Sequence, residues 1–180
     1  IEKHSFTADG NATDVGDLTQ RTSNGQVGLS SAISGYTAGL PSAPGDRNTI
    51  DKFPFSADGN ATDVGDLTQS TQRYTLGGGS SAETAGYIAG GTGPSDGTNI
   101  GTNEIHKISF SVDGNSVDVG DLTGGTYGAV GQSSATHGYT CAGNGPRGAD
   151  TIDKFPFASE GNATDVGNLA ISGRLMGGAS

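Results

Sequence analysis

The chain of 180 residues contains no tryptophan, one cysteine (Cys141) and one methionine. A lone cysteine excludes an intrachain disulfide and a cysteine-rich zinc site. Only 31% of residues are hydrophobic by a broad count, which excludes a thick leucine-rich core. Long apolar runs are missing too: none approaches the roughly 20 residues of a helical membrane crossing, so membrane insertion is not expected. Positive charge is scarce. Nine lysines and arginines stand against nineteen aspartates and glutamates, giving a formal charge of −10. That excess repels nucleic-acid phosphates and anionic membrane surfaces, so nucleic acid is not an expected partner. No signal-type leader stands at the start, which is Ile1 rather than a methionine. Processing or a partial reading frame is the expected origin of these ends.

What the chain has instead is glycine, 33 residues of it, and repetition. The string "IDKFPFSADGNATDVGDLTQ" at Ile50 recurs as "IEKHSFTADGNATDVGDLTQ" at Ile1, "IHKISFSVDGNSVDVGDLTG" at Ile105 and "IDKFPFASEGNATDVGNLAI" at Ile152. The spacings are 49, 55 and 47 residues. A second recurring unit lies between the copies, in "QVGLSSAISGYTAGL", "YTLGGGSSAETAGYIAGG" and "YGAVGQSSATHGYTCAGN". All six phenylalanines and all four lysines (Lys3, Lys52, Lys107, Lys154) fall in the first unit, and all five tyrosines in the second. Aromatics placed this regularly mean one small core built several times.

Helices are excluded by pattern and composition. No window carries apolar residues at helical spacing over three turns, and each glycine costs a helix about 1 kcal/mol relative to alanine. Four short strands per repeat fit better, in the second repeat at about 73–80, 85–90, 105–110 and 117–122. "DGN" (Asp58-Gly59-Asn60) reads as a tight turn between the third and fourth strands, with equivalents at Asp9, Asp113 and Glu160. Ile50, Phe53 and Phe55 do not share one parity. Strands of a sheet covered on both faces need not alternate, which suits a blade between two other blades.

The order "YGAVGQSS", "HGYTCAGN", "TIDKFPF", "ATDVGNL" resembles the kelch repeat, with Gly90-Gly91 at the double glycine and Gly143-Asn144 and Gly39-Leu40 matching it in part. Val15, Val64, Val119 and Val166 stand where kelch repeats usually carry tryptophan. The units are also similar to kelch-like arrays of marine phages and bacteria. The resemblance implies an all-β fold: a β-propeller of kelch-like four-stranded blades, forming one repeat domain over residues 1–180. About four units start near Ile1, Ile50, Ile105 and Ile152, and the last is cut short. The terminal "GRLMGGAS" is expected to join the hairpin at Ile1 in a composite blade. Alternatively two chains exchange these ends in a ring of about eight blades, or the chain is part of a longer propeller. Because an unpaired inner strand is a liability, self-association that completes the ring is favoured.

Asp58, Asn60, Thr62, Asp63 and Asp66 crowd oxygen ligands as calcium loops do. The glycine and glutamate spacing of an EF-hand is absent, however, and turn residues bonding nearby amides explain the string without metal. The four lysines would form a ring suited to an anion, or would pair with Asp14, Asp63, Asp118 and Asp165 on the adjacent strands; pairing is the better reading. Asn11, Asn60 and Asn162 sit in glycosylation sequons that the third copy lacks. His4, His106 and His137 share no register and no metal spacing. No nucleophile elbow, phosphate loop or dinucleotide fingerprint is present. No catalytic or metal residue, and no cofactor, is assigned from sequence.

Symmetry breaks mainly in the loops from second to third strand, at residues 41–49, 92–104 and 145–151. Variable loops on a rigid scaffold are where binding is commonly built. The expected function is therefore non-enzymatic: binding a protein or glycan, or structural assembly, at a virion or cell surface. A glycan-active propeller enzyme and a fibrous β-solenoid are the alternatives.

Overall fold

A computed structural model describes residues 1–20, 26–39, 48–68, 77–92 and 101–173. Strands come in the predicted order. β1 (Glu2–Lys3) and β2 (Thr13–Asp14) form a hairpin. Sheet I then comprises β3 (Val27–Ser30), β4 (Ser34–Ala38), β5 (Thr49–Pro54) and β6 (Thr62–Asp66). Sheet II comprises β7 (Gly78–Ser81), β8 (Ala85–Ala89), β9 (Glu104–Ser109) and β10 (Val117–Asp121). Sheet III comprises β11 (Val130–Ser133), β12 (His137–Cys141), β13 (Thr151–Pro156) and β14 (Thr164–Asn168). Each sheet is an antiparallel meander in chain order, and no strand crosses between sheets. The molecule is thus an all-β repeat protein of three blade-like units preceded by a two-stranded hairpin. The predicted pairing of the terminal "GRLMGGAS" falls largely outside the described residues.

The sheets are joined face to face by apolar side chains. One cluster joins Tyr36, Ile50 and Leu67 of sheet I to Ile88 and Ile108 of sheet II, with Phe110 packed against it. A second joins Tyr87, Ile105 and Leu122 of sheet II to Phe155 and Ala163 of sheet III. Sheet II is covered on both faces, and all five residues of β8 are buried. This is the two-sided burial that the missing alternation implied. Each such side chain taken fully from water stabilises by about 1.5–3 kcal/mol, so two modest clusters replace one thick core.

The first strands lie side by side, close enough to require glycine. A Cβ on Gly131 of β11 would stand 2.0 Å from the Gly79 carbonyl oxygen of β7. Serines tie the same strands together. The Ser30 amide donates to Ser81 Oγ at 3.2 Å, and the Ser81 amide to Ser133 Oγ at 2.8 Å. Beyond the second strand, the Gly91 amide donates to the carbonyl of Thr126 on the segment leading into β11, 2.8 Å away. The double glycine therefore sits where one unit passes into the next.

Candidate functional site

The repeated "DGNATDVGD" string builds joints between units. Each fourth strand carries a bulge, where the register shifts between Ile50 and Asp51 in sheet I and between Ile152 and Asp153 in sheet III. At the bulge the first aspartate of the strand accepts from the amide two residues on: Asp63 Oδ1 from Gly65 at 3.1 Å, Asp118 Oδ1 from Gly120 at 3.1 Å. The bulge glycines take φ near +150°, a conformation that favours glycine. They also admit no side chain, because the turn of the following unit lies against them. A Cβ would meet the Gly59 carbonyl oxygen at 2.1 Å from Gly16 and that of Gly114 at 2.3 Å from Gly65. From Gly120 it would lie 2.4 Å from the carbonyl carbon of Gly161.

Polar groups lock this contact in one pattern, three times. The turn asparagine accepts from a backbone amide of the preceding unit: Asn60 from Asp17 at 2.9 Å, Asn115 from Asp66 at 3.0 Å, Asn162 from Asp121 at 3.1 Å. The next amide of the turn donates back to the carbonyl of the same aspartate, from Ala61, Ser116 and Ala163 respectively. The third-strand lysine of the preceding unit reaches the turn acid: Lys3 to Asp58 at 2.5 Å, Lys52 to Asp113 at 2.7 Å, Lys107 to Glu160 at 2.5 Å. The hydrogen bonds to Asp113 and Glu160 raise the pKa values of Lys52 and Lys107 above the usual lysine range, against a smaller opposing effect of burial.

Two sequence expectations are corrected here. The lysines do not pair with Asp14, Asp63, Asp118 or Asp165. Register explains it: Lys52 lies opposite Thr62, while Asp63 lies opposite Asp51, one residue along and so on the other face of the sheet. Nor does "DGN" close a tight turn between the strands. Seven residues, 55–61, separate β5 from β6, long enough for the tip to reach the preceding unit.

Deeper in each joint a threonine of one unit meets the third residue of the next third strand. Thr19 Oγ1 donates to Asp51 at 2.6 Å and Thr123 Oγ1 to Asp153 at 2.8 Å, both carboxylates being fully buried. In the middle joint His106 takes the acid's place, its Nδ1 3.0 Å from Thr68 Oγ1. Burial lowers the pKa of His106, partly opposed by Asp118, and raises that of Glu104, whose Oε2 lies 3.3 Å from His106 Nε2. Both groups are pulled toward their neutral forms. The tyrosine of the second strand in sheets I and II stacks on the phenylalanine just after the next third strand, Tyr36 on Phe110 and Tyr87 on Phe157, with ring centroids 4.8 Å apart in both cases.

Of the three variable loops, 145–151 lies among the described residues, and 41–47 and 93–100 of the other two lie outside them. Arg147 turns inward. Its guanidinium is fully buried, donates to the carbonyls of Thr140 and Ala142, and lies 3.3 Å from Asp153. It satisfies carbonyls at the end of β12 inside sheet III and offers no charge to a ligand. His4 packs edge-on to Phe6, and His137 Nδ1 lies 2.8 Å from Thr136 Oγ1. Buried Cys141 has its thiol pKa raised by burial, which makes it a poor nucleophile. All three sequon asparagines are exposed; the side chains of Asn60 and Asn162 also hold joints. Among the described residues no group of three or more histidine, cysteine, aspartate or glutamate side chains is placed to hold a metal ion.

A cleft of about 260 Å³ separates the first hairpin from sheet I, lined among others by Ile1, His4, Val15, Phe53 and Phe55. Phe53 and Phe55 correspond to Phe155 and Phe157, the pair against which Tyr87 packs. The two-stranded hairpin brings no tyrosine to that position. No protein-family model and no curated protein matches this chain.

Proposed function

We propose that the units are blades of a kelch-like β-propeller and that the chain serves as a non-enzymatic scaffold for binding or assembly. Its partner would be a protein or a glycan, engaged by loops from second to third strand at a virion or cell surface. One observation carries the reading: the acids, asparagines and lysines of the repeated motif are engaged in the same way in all three joints. Active sites on repeat scaffolds generally break the symmetry of the repeat, and the turn acids, asparagines and lysines here keep one arrangement in every joint. Adjacent first strands at one edge, fourth strands outermost and faces packed on faces support the blade arrangement.

Small-angle scattering tests the architecture. A compact, curved profile is expected, and a rod would favour the solenoid instead. Incubation with a panel of polysaccharides tests the non-enzymatic part, with no release of reducing ends expected; steady release would overturn it. A glycan array reads the binding part. Shortening the 93–100 stretch, which keeps Thr102, Asn103 and Glu104 and their hydrogen bonds, should abolish any signal, with melting followed in parallel; a signal that survives would place binding elsewhere.

A further inference from the structure

One face of sheet III repeats a half-joint that is filled in sheets I and II. Tyr139, Val166 and Leu169 correspond to Tyr87, Val119 and Leu122. Tyr87 and Leu122 are 2% and 4% exposed, yet Tyr139 and Leu169 are only partly buried and Val166 is 51% exposed. Gly167 keeps the bulge conformation at φ +146°, and a Cβ there would meet nothing within 4 Å. Among the described residues the side chain of Lys154, in the register of Lys52 and Lys107, makes no hydrogen bond or ion pair, and no turn asparagine accepts from the Asn168 amide as Asn60, Asn115 and Asn162 do from Asp17, Asp66 and Asp121.

The other half of the same joint is exposed on the first hairpin. Its turn, Asp9-Gly10-Asn11, matches Asp58-Gly59-Asn60 residue for residue. Among the described residues the side chains of Asp9 and Asn11 are exposed and make no hydrogen bond or ion pair, and Phe6, which corresponds to Phe110 and Phe157, is 94% exposed. The chain's own turn does not reach its own last sheet among the described residues.

From these complementary halves we infer that a second copy of this chain docks head to tail, its first hairpin seated on the outer face of sheet III. Lys154 of one copy pairs with Asp9 of the other, Asn11 accepts from the Asn168 amide, the turn passes over Gly167, and Phe6 stacks on Tyr139. The deeper contact is altered in concert on the two sides. Where interior joints pair threonine with aspartate (Thr19 with Asp51, Thr123 with Asp153), this one pairs Ala170 with Glu2, a shorter side chain facing a longer acid. The contact is heterologous, so two copies close into a ring if the curvature permits and otherwise extend.

This inference rests on the blade reading, and the test separates the two. The 180-residue chain is followed by light scattering over micromolar to millimolar concentration, beside Lys154→Glu, Asp9→Lys and the double variant. The wild type should associate with rising concentration. Each single reversal should weaken association by about tenfold or more, since like charges then face each other. The double variant should restore it. Both residues lie off the interior joints, so the variants should melt at the wild-type temperature when dilute. A chain that stays monomeric to millimolar concentration, or associates regardless of Lys154 and Asp9, overturns the inference. So does a monomer whose melting temperature responds to the reversal, because the occupant is then its own turn. Small-angle scattering of the dilute Lys154→Glu chain isolates the blade reading: a curved profile keeps that reading even where docking fails, and a rod removes both.

Discussion

Sheet II and sheet III carry nearly the same sequence and live in different surroundings. Tyr87 is stacked and closed in on both sides; Tyr139, its counterpart, is half-open. Gly120 carries a neighbouring turn within contact distance, whereas Gly167 in the same conformation faces free space. The difference teaches what the repeat is for in physical terms. Its residues stabilise little within their own sheet and much between sheets, so a unit of this kind is completed by the unit on either side. That is the behaviour of quasi-one-dimensional arrays, where stability is a sum of intrinsic and nearest-neighbour terms.

Paired substitutions sharpen the contrast, all measured at concentrations where the chain is monomeric. Tyr87→Ala should cost about 3–5 kcal/mol in denaturant unfolding, as buried aromatic truncations do, and Tyr139→Ala clearly less. Equal costs would mean that the outward face of sheet III is as closed as the interior. Gly120→Ala and Gly167→Ala share the backbone strain of a positive φ, about 1–3 kcal/mol. Only Gly120→Ala also drives a methyl group into the Gly161 backbone, which adds about 1–3 kcal/mol. A thermal melt in which the two variants coincide would break the account of the bulge glycines.

A smaller effect comes from the one joint built on histidine. Burial depresses the pKa of His106, so the unfolded chain binds the proton more tightly than the fold does. Stability is therefore fully present above the ordinary histidine range and is lost as pH falls below about 6.5, by at most about 1.4 kcal/mol per pH unit. The raised pKa of Glu104 acts with the opposite sign, since protonation there accompanies folding. His106→Gln should remove the histidine slope and keep that of Glu104. A variant with unchanged pH dependence would show that His106 is not the responsible group.

The strands themselves were legible in the sequence. The expected runs near 85–90, 105–110 and 117–122 match β8, β9 and β10 to within a residue or so, because glycine, aspartate and asparagine punctuate β-branched and aromatic runs. Burial on both faces was legible as well, from the broken parity of Ile50, Phe53 and Phe55. The joints were not. A repeat in one sequence shows that Lys52 and four candidate acids recur in step; it does not show which copy of the motif each lysine touches. The pairing with Asp63 failed on a single residue of register, which moves a side chain to the opposite face. Two signals pointed the right way: a connection too long for a tight hairpin, and a glycine inside every fourth strand, in "DVGD" and "DVGN". The inward turn of Arg147 left no trace in its loop, whose proline, glycine and charge read as exposed.

Amide hydrogen exchange on an Asn115→Ala chain tests most directly whether the turn serves its neighbour rather than itself. Asn115 accepts from the Asp66 amide, 49 residues back along the chain. The account predicts that exchange at Asp66 accelerates strongly while amides 111–114 of the same turn keep their wild-type rates. Acceleration confined to 111–114, with Asp66 still protected, would contradict it.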